Sequence, residues 1–219
     1  MSRLPRRPLG EKLETLSQFY HRASDRLFIR RYSLEFDEFV PRESLVTGAT
    51  DSLAHSYNYR PYSTFQLKSL LREAFRSGIP FQNFVDVGCG RGQPSLFARR
   101  HFPFAHVYGV DFSEPLIDAA KRNLHRTPYD NVSFVVADAA KWKVPDGNTI
   151  FFMFNPFDAV IMEEFLRLNL DHFVRYRSLI AYGFDKHRDT MCKLGFEIMY
   201  RSWRDEHSIL RYAAAYSTR

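Results

Sequence analysis

Cysteine is scarce in this chain: Cys89 and Cys192 are the only two among 219 residues. Two thiols so far apart supply neither a disulfide framework nor a zinc ligand set, and no metal site is expected. Long apolar runs are also missing. No stretch of 18 consecutive apolar residues occurs, which excludes a membrane-spanning helix. The opening residues, Met1 to Arg7, are basic, but no apolar segment follows them, so they do not read as a secretory signal. Internal repeats, low-complexity segments and any Ser-His-Asp constellation are absent too. These absences describe a cytoplasmic protein with free thiols. Hydrophobic content of 45% supplies the core of one large domain. The formal charge of +6 permits an acidic partner, nucleic acid included. Yet the densest basic set (Arg3, Arg6, Arg7, Arg22, Arg26, Arg30, Arg31) is interrupted by Glu11, Glu14 and Asp25. A solvated surface of mixed charge accounts for it equally well.

What the chain does have is concentrated in residues 84–92, Phe-Val-Asp-Val-Gly-Cys-Gly-Arg-Gly. Phe84, Val85 and Val87 around Asp86 read as a strand at the centre of a parallel sheet. Gly88, Gly90 and Gly92 let the backbone turn sharply and approach a ligand that any Cβ would hold off. The segment 94–100 opens with a proline and reads as a helix whose free N–H groups face the same place. His106–Asp111 is a second strand, and it ends in a carboxylate. A carboxylate there grips the two hydroxyls of a ribose. The chain is therefore expected to bind a cofactor containing a nucleoside. A dinucleotide fingerprint needs its third glycine at position 93, where this chain has Gln93.

From residue 83 onward strands and helices alternate. Strands are expected over 83–88, 106–111, 132–137, 149–154 and 178–184. Helices fall over 113–126, 159–176 and 186–194. Two last strands, 196–203 and 208–216, are joined by so short a connection that they must be antiparallel. The fold class is α/β, a doubly wound and mostly parallel seven-stranded sheet with a C-terminal antiparallel hairpin. Before it, apolar residues Leu13, Leu16, Phe19, Ala23 and Leu27 recur at helical spacing over 11–31. Residues 32–52 are mixed, 53–63 form an aromatic loop and 64–76 a helix. The expected organisation is a helical and irregular N-terminal extension, 1–52, and a cofactor-binding domain, 53–219. The N-terminal helix offers a lid, a contact to the domain body or an oligomer interface.

The pattern Asp86-x-Gly88-x-Gly90-x-Gly92 resembles the first motif of class I S-adenosylmethionine (SAM)-dependent methyltransferases, and the terminal hairpin is similar to theirs. The resemblance covers residues 55–216. It implies SAM as cofactor, with Asp86, Gly88, Cys89, Gly90 and Gly92 at its amino-acid end. Asp111 would hold the ribose, Phe112 would lie against the adenine, and Asp138 with Ala139 would bond the adenine amino group. A helix cap or turn is the plainer reading of Asp138. Asn155-Pro156-Phe157 follows the strand 149–154 and would face the transferable methyl, so Asn155 and Phe157 are candidate catalytic residues. Asn155 would also touch the cofactor. Amino methyltransferases carry two prolines here, and this chain carries one. The arrangement is closer to the non-SET histone-lysine methyltransferase type, although a simple Asn-Pro turn fits the residues as well. The loop residues His55, Tyr57, Tyr59 and Tyr62 would fold over the cofactor, with tyrosine faces suited to a sulfonium or an ammonium.

Catalysis of this kind rests mainly on holding nucleophile, methyl carbon and sulfur in line, which can supply roughly 7–11 kcal/mol. Tyr59, His55 and Asp158 are candidate bases, and Asn155 a candidate orienting group. The expected function is SAM-dependent methyl transfer to an unidentified acceptor, with a protein side-chain nitrogen preferred. A nucleic-acid base, a small molecule, a silent partner subunit of this fold and a different nucleotide-dependent enzyme stay open.

Overall fold

The computed structural model describes residues 23–36, 39–202 and 206–216. The apolar strand-forming runs pair into one seven-stranded sheet of order β3-β2-β1-β4-β5-β7-β6. Its strands are β1 Asn83–Val87, β2 His106–Asp111, β3 Val132–Val136, β4 Thr149–Phe154, β5 Leu179–Gly183, β6 Phe196–Ser202 and β7 His207–Tyr212. The first five are mutually parallel, and β7 runs antiparallel to both β5 and β6. The strands β1 and β5 are buried at every position. Continuous apolar sequence is what a strand covered on both faces requires.

Alternate residues feed two cores. Phe84, Ile150 and Phe152 face one layer, built on α3 Thr64–Phe75, α4 Gln93–His101 and α5 Glu114–His125. Val85, Phe151 and Met153 face the other, built on α6 Ala159–Leu168, α7 Leu170–Arg175 and α8 Arg188–Lys193. Successive side chains of a strand point to opposite faces, so a helix layer is needed on each.

The helical residues 23–31 (α1) are part of this body. Phe28, Leu34 and Phe36 bury in the same cluster as Phe84 and Phe97. A buried ion pair fastens α1 to α3: Lys68 donates to both carboxylate oxygens of Asp25 at 3.0 and 2.9 Å, and Thr64 donates to the same group. Burial pushes the Asp25 carboxyl up, but its bonds with His101, Thr64 and Lys68 outweigh that and hold it at about 2. Residues 23–36 thus share a core with the expected second part of the chain. The segment 11–22 of the anticipated N-terminal helix lies outside the described residues.

Three expectations are corrected. Residues 50–54, read as irregular, form the short helix α2 Thr50–Ala54. The single helix expected over 159–176 is two, parted at Asn169. That side chain donates to the carbonyls of Phe165 and Trp142, and its carbonyl accepts from the Val144 N–H. The last strand ends at Tyr212, and Ala213–Tyr216 close into a 3-10 turn.

Candidate active site

The strand order reverses at β1, with β2 on one side and β4 on the other, so a crevice opens beyond their carboxyl ends. It lies between the strand ends and residues 57–62, which line it from the other side. Gly88, Cys89, Asp86, Asp111, Phe112 and Ala139 line its floor. All three loop glycines take left-handed φ angles, +76°, +53° and +80°. Packing fixes them as well. A Cβ on Gly88 would stand 2.4 Å from Pro156, one on Gly90 2.1 Å from the Tyr59 ring, and one on Gly92 2.4 Å from Phe134. Gly90 therefore lies beneath Tyr59 and Gly92 against Phe134, and Gly88 is the glycine that borders the cleft.

Two acids define the polarity of the floor. Asp86 Oδ2 accepts from the Ser95 N–H at 3.1 Å and the Ser95 hydroxyl at 2.7 Å, which ties the loop to the start of α4. Asp111 accepts the Gly90 N–H and the Ser113 N–H, each at 2.9 Å. Burial raises Asp86 to about 7 despite the Ser95 bonds, with the Asp111 charge adding to the rise. Burial likewise raises Asp111 to about 6 against its two backbone donors. Among the described residues no cation pairs with either acid. The buried Asp86 and the half-buried Asp111, without a counter-charge and the latter with lone pairs left for hydroxyls, fit a cationic ligand bearing a ribose. Cys89, between them, has its thiol pushed well up by burial.

Residues 40–62 form a strap across the crevice. On the β3 side, Ser52 Oγ donates to Asp138 Oδ2 at 2.8 Å, while Asp138 Oδ1 accepts the Ala140 N–H. Asp138 thus caps a turn and anchors the strap, and its neighbours Ala137 and Ala139 border the cleft. On the β4 side, Ser56 bridges Phe157, Tyr57 donates its N–H to the Pro156 carbonyl at 3.3 Å, and His55 Nδ1 meets Asp158 Oδ2 at 2.7 Å. Tyr59 pairs with Val40, and its hydroxyl donates to the Phe36 carbonyl at 3.2 Å. Burial raises the Tyr59 phenol. Its ring covers the glycine loop while its hydroxyl points into the protein, so it is a cover and not a base. The Tyr62 N–H reaches Gln93 Oε1, so the glutamine that replaces a dinucleotide-type glycine holds the strap instead.

At the end of β4, Asn155 adopts a left-handed φ of +43°, and Phe184, one step beyond the paired end of β5, has +54°. Asn tolerates this conformation, whereas for a phenylalanine it is rare. Asn155 is 8% exposed and lines the cleft with Pro156 and Phe157. Tyr182 donates its hydroxyl to Asn155 Oδ1 at 3.1 Å. Sequence reasoning missed Tyr182, Gln93 and His187. A phenol in an otherwise apolar core strand was the available signal for the first. Among the described residues no group of metal-binding side chains occurs, and no helix is long and apolar enough to cross a membrane.

The sheet order and a glycine-floored cleft at its reversal point are those of the Rossmann-like class I methyltransferase fold. Residues 84–175 match the family model described as methyltransferase domain. A segment of 65 residues is 35% identical to trans-aconitate 2-methyltransferase of Methylobacterium radiotolerans, covering 28% of this chain and 23% of that protein. Another of 43 residues is 44% identical to ribosomal RNA large subunit methyltransferase G of Shewanella woodyi, covering 20% and 10%. The chain thus matches less than a quarter of either relative's length. The PH0226 protein of Pyrococcus horikoshii shares the fold, with a TM-score of 0.50 and 17% identity over 67% of this chain and 88% of that one. SAM is the expected cofactor.

Proposed function

We propose that the protein transfers a methyl group from SAM to an acceptor that enters between the strap and the ends of β4 and β5. The uncompensated pair on the floor of the cleft, Asp86 buried and Asp111 half-buried, carries this reading. In it, Asp111 holds the ribose hydroxyls, Phe112 borders the adenine, and Gly88 and Cys89 admit the amino-acid end. When bound, SAM supplies a methyl group on a sulfonium, a good leaving group. The chain's own contribution is placement: the loop sets the depth of the donor, and the strap excludes water above it.

The relatives do not agree on an acceptor, since their names point to an organic acid and to ribosomal RNA. A protein side-chain nitrogen has in its favour the aromatic faces of Tyr57 and Phe157 at the mouth. It also calls for a hydrogen-bond acceptor turned toward the cleft at residue 155, and the Asn155 carbonyl is turned to Tyr182 instead.

Calorimetric titration of the whole chain with SAM, its demethylated product and NAD tests the donor. SAM and product should bind and NAD should not. Asp111→Ala should weaken SAM binding by about 10- to 100-fold, the loss of one or two hydrogen bonds to a charged group. Binding of NAD alone, or unchanged affinity in the variant, refutes the assignment.

A further inference from the structure

Beyond the donor, the mouth of the cleft reveals which kind of atom the acceptor offers. The Tyr182 hydroxyl has one proton. It accepts the His187 N–H at 3.4 Å, so that proton is free to be donated to the side chain of Asn155, 3.1 Å away. In this arrangement the amide oxygen faces Tyr182 and the nitrogen lies the other way. The NH2 group makes no hydrogen bond among the described residues and is not a buried orphan, and Asn155 borders the cleft. The neighbouring Pro156 carbonyl is already engaged by the Tyr57 N–H. Residue 155 thus offers donors, and the Asn155 side-chain and Pro156 carbonyls each already accept one hydrogen bond.

Charge at the mouth agrees. Arg60 lines the cleft, and the Lys186 ammonium sits 5.6 Å from the ring centre of Tyr57 and 4.9 Å from that of Phe184. At the outer end, away from the floor acids Asp86 and Asp111, Asp158 is committed to His55 and Asp185 to Arg188, Arg201 and Ser208. Neither Tyr59 nor Tyr182 turns a base to the cleft: burial raises both, and each hydroxyl donates inward.

We infer that the acceptor position takes a carboxylate, oriented by the Asn155 NH2 and attracted by Arg60 and Lys186. The inference rests on the methyl-transfer reading. A carboxylate oxygen is ionised at neutral pH and needs no base. Its lone pair forms the O–CH3 bond, the CH3–S bond breaks with its electron pair going to sulfur, and no proton is transferred. An ammonium would first have to lose one.

The test is the side-chain amide NH2 signal of Asn155 in 15N-labelled whole chain, identified by its disappearance in Asn155→Asp, during titration with fumarate and separately with n-butylamine. The signal should shift with fumarate and not with the amine. A shift with the amine, or with neither, overturns the inference. Asn155→Asp keeps a residue that tolerates left-handed φ, so folding is not at issue. Tyr182→Phe should free the amide to turn and weaken fumarate binding about tenfold, the loss of one oriented charge-assisted bond. In a methyl-transfer assay with labelled SAM and fumarate, citrate and benzoate as probes, product should be released as methanol by alkali, and Asn155→Asp should lower it about 100-fold. Alkali-stable label on a lysine peptide would refute the inference. Failure of SAM to bind in calorimetry refutes the methyl-transfer reading instead, whatever the Asn155 signal does.

Discussion

Binding of SAM should release protons, and its affinity should climb between roughly pH 5.5 and 7.5. Burial holds Asp86 up at about 7 and Asp111 at about 6, so the unliganded cleft is partly protonated near neutrality. A sulfonium ligand whose ribose hydroxyls donate to Asp111 favours both groups as carboxylates. If the complex holds both ionised, apparent affinity follows the fraction of free protein that is already ionised. With those values the fraction changes about 100-fold over the two pH units, and Asp111 alone gives about fourfold. The sign for stability is opposite. Both folded values exceed the ordinary 3.8, so the native state binds more protons than the unfolded chain between about pH 4 and 7. The unliganded fold therefore loses stability as pH rises through that window, and bound SAM restores it. Calorimetry in two buffers of different ionisation enthalpy counts the released protons directly. A flat Kd over the range, with no proton release, would show that the two acids do not face the cofactor.

Three further outcomes follow from single contacts. Asp86→Asn keeps an oxygen for Ser95 and removes a charge from a 1% exposed site, so the unliganded variant should gain on the order of 4 kcal/mol at about pH 8. The gain should shrink toward zero near pH 4 in urea unfolding, and an equal gain at both ends would contradict the cause. Gly90→Ala places a methyl 2.1 Å from the Tyr59 ring on a backbone at φ +53°, and should cost about 1–3 kcal/mol with loss of the Tyr59–Phe36 bond. Unaltered urea midpoints would mean the ring does not rest on the loop. Lys68→Met strands the Asp25 carboxylate, which is 3% exposed, and should cost about 3–5 kcal/mol. Adding Asp25→Leu should recover most of it, and a further loss in the double variant would argue against an unpaired charge as the cause.

Much of this protein was readable in the order of its residues, because the physics involved is local. A strand covered on both faces must be apolar throughout, so Phe84–Val87 and Ile150–Phe154 announced the centre of a parallel sheet. Left-handed φ angles favour glycine, so Gly88, Gly90 and Gly92 announced the loop that carries them. Asp111 was placed because a strand end has a fixed position in such a sheet. The contacts that give the cleft its character join residues far apart in sequence. Ser52 meets Asp138 across 86 positions, His55 meets Asp158 across 103, and Tyr59 reaches back to Phe36 and over Gly90. No periodicity reports such meetings, and they turned Asp138 into an anchor and Tyr59 into a cover. The orientation of Asn155 is a further case. The residue was evident from its place after β4, but which end of its amide meets the cleft was decided by a tyrosine on the next strand. Sequence determined the sheet and the donor loop; tertiary structure decided the face shown to the acceptor, because a hydrogen bond's direction depends on both partners.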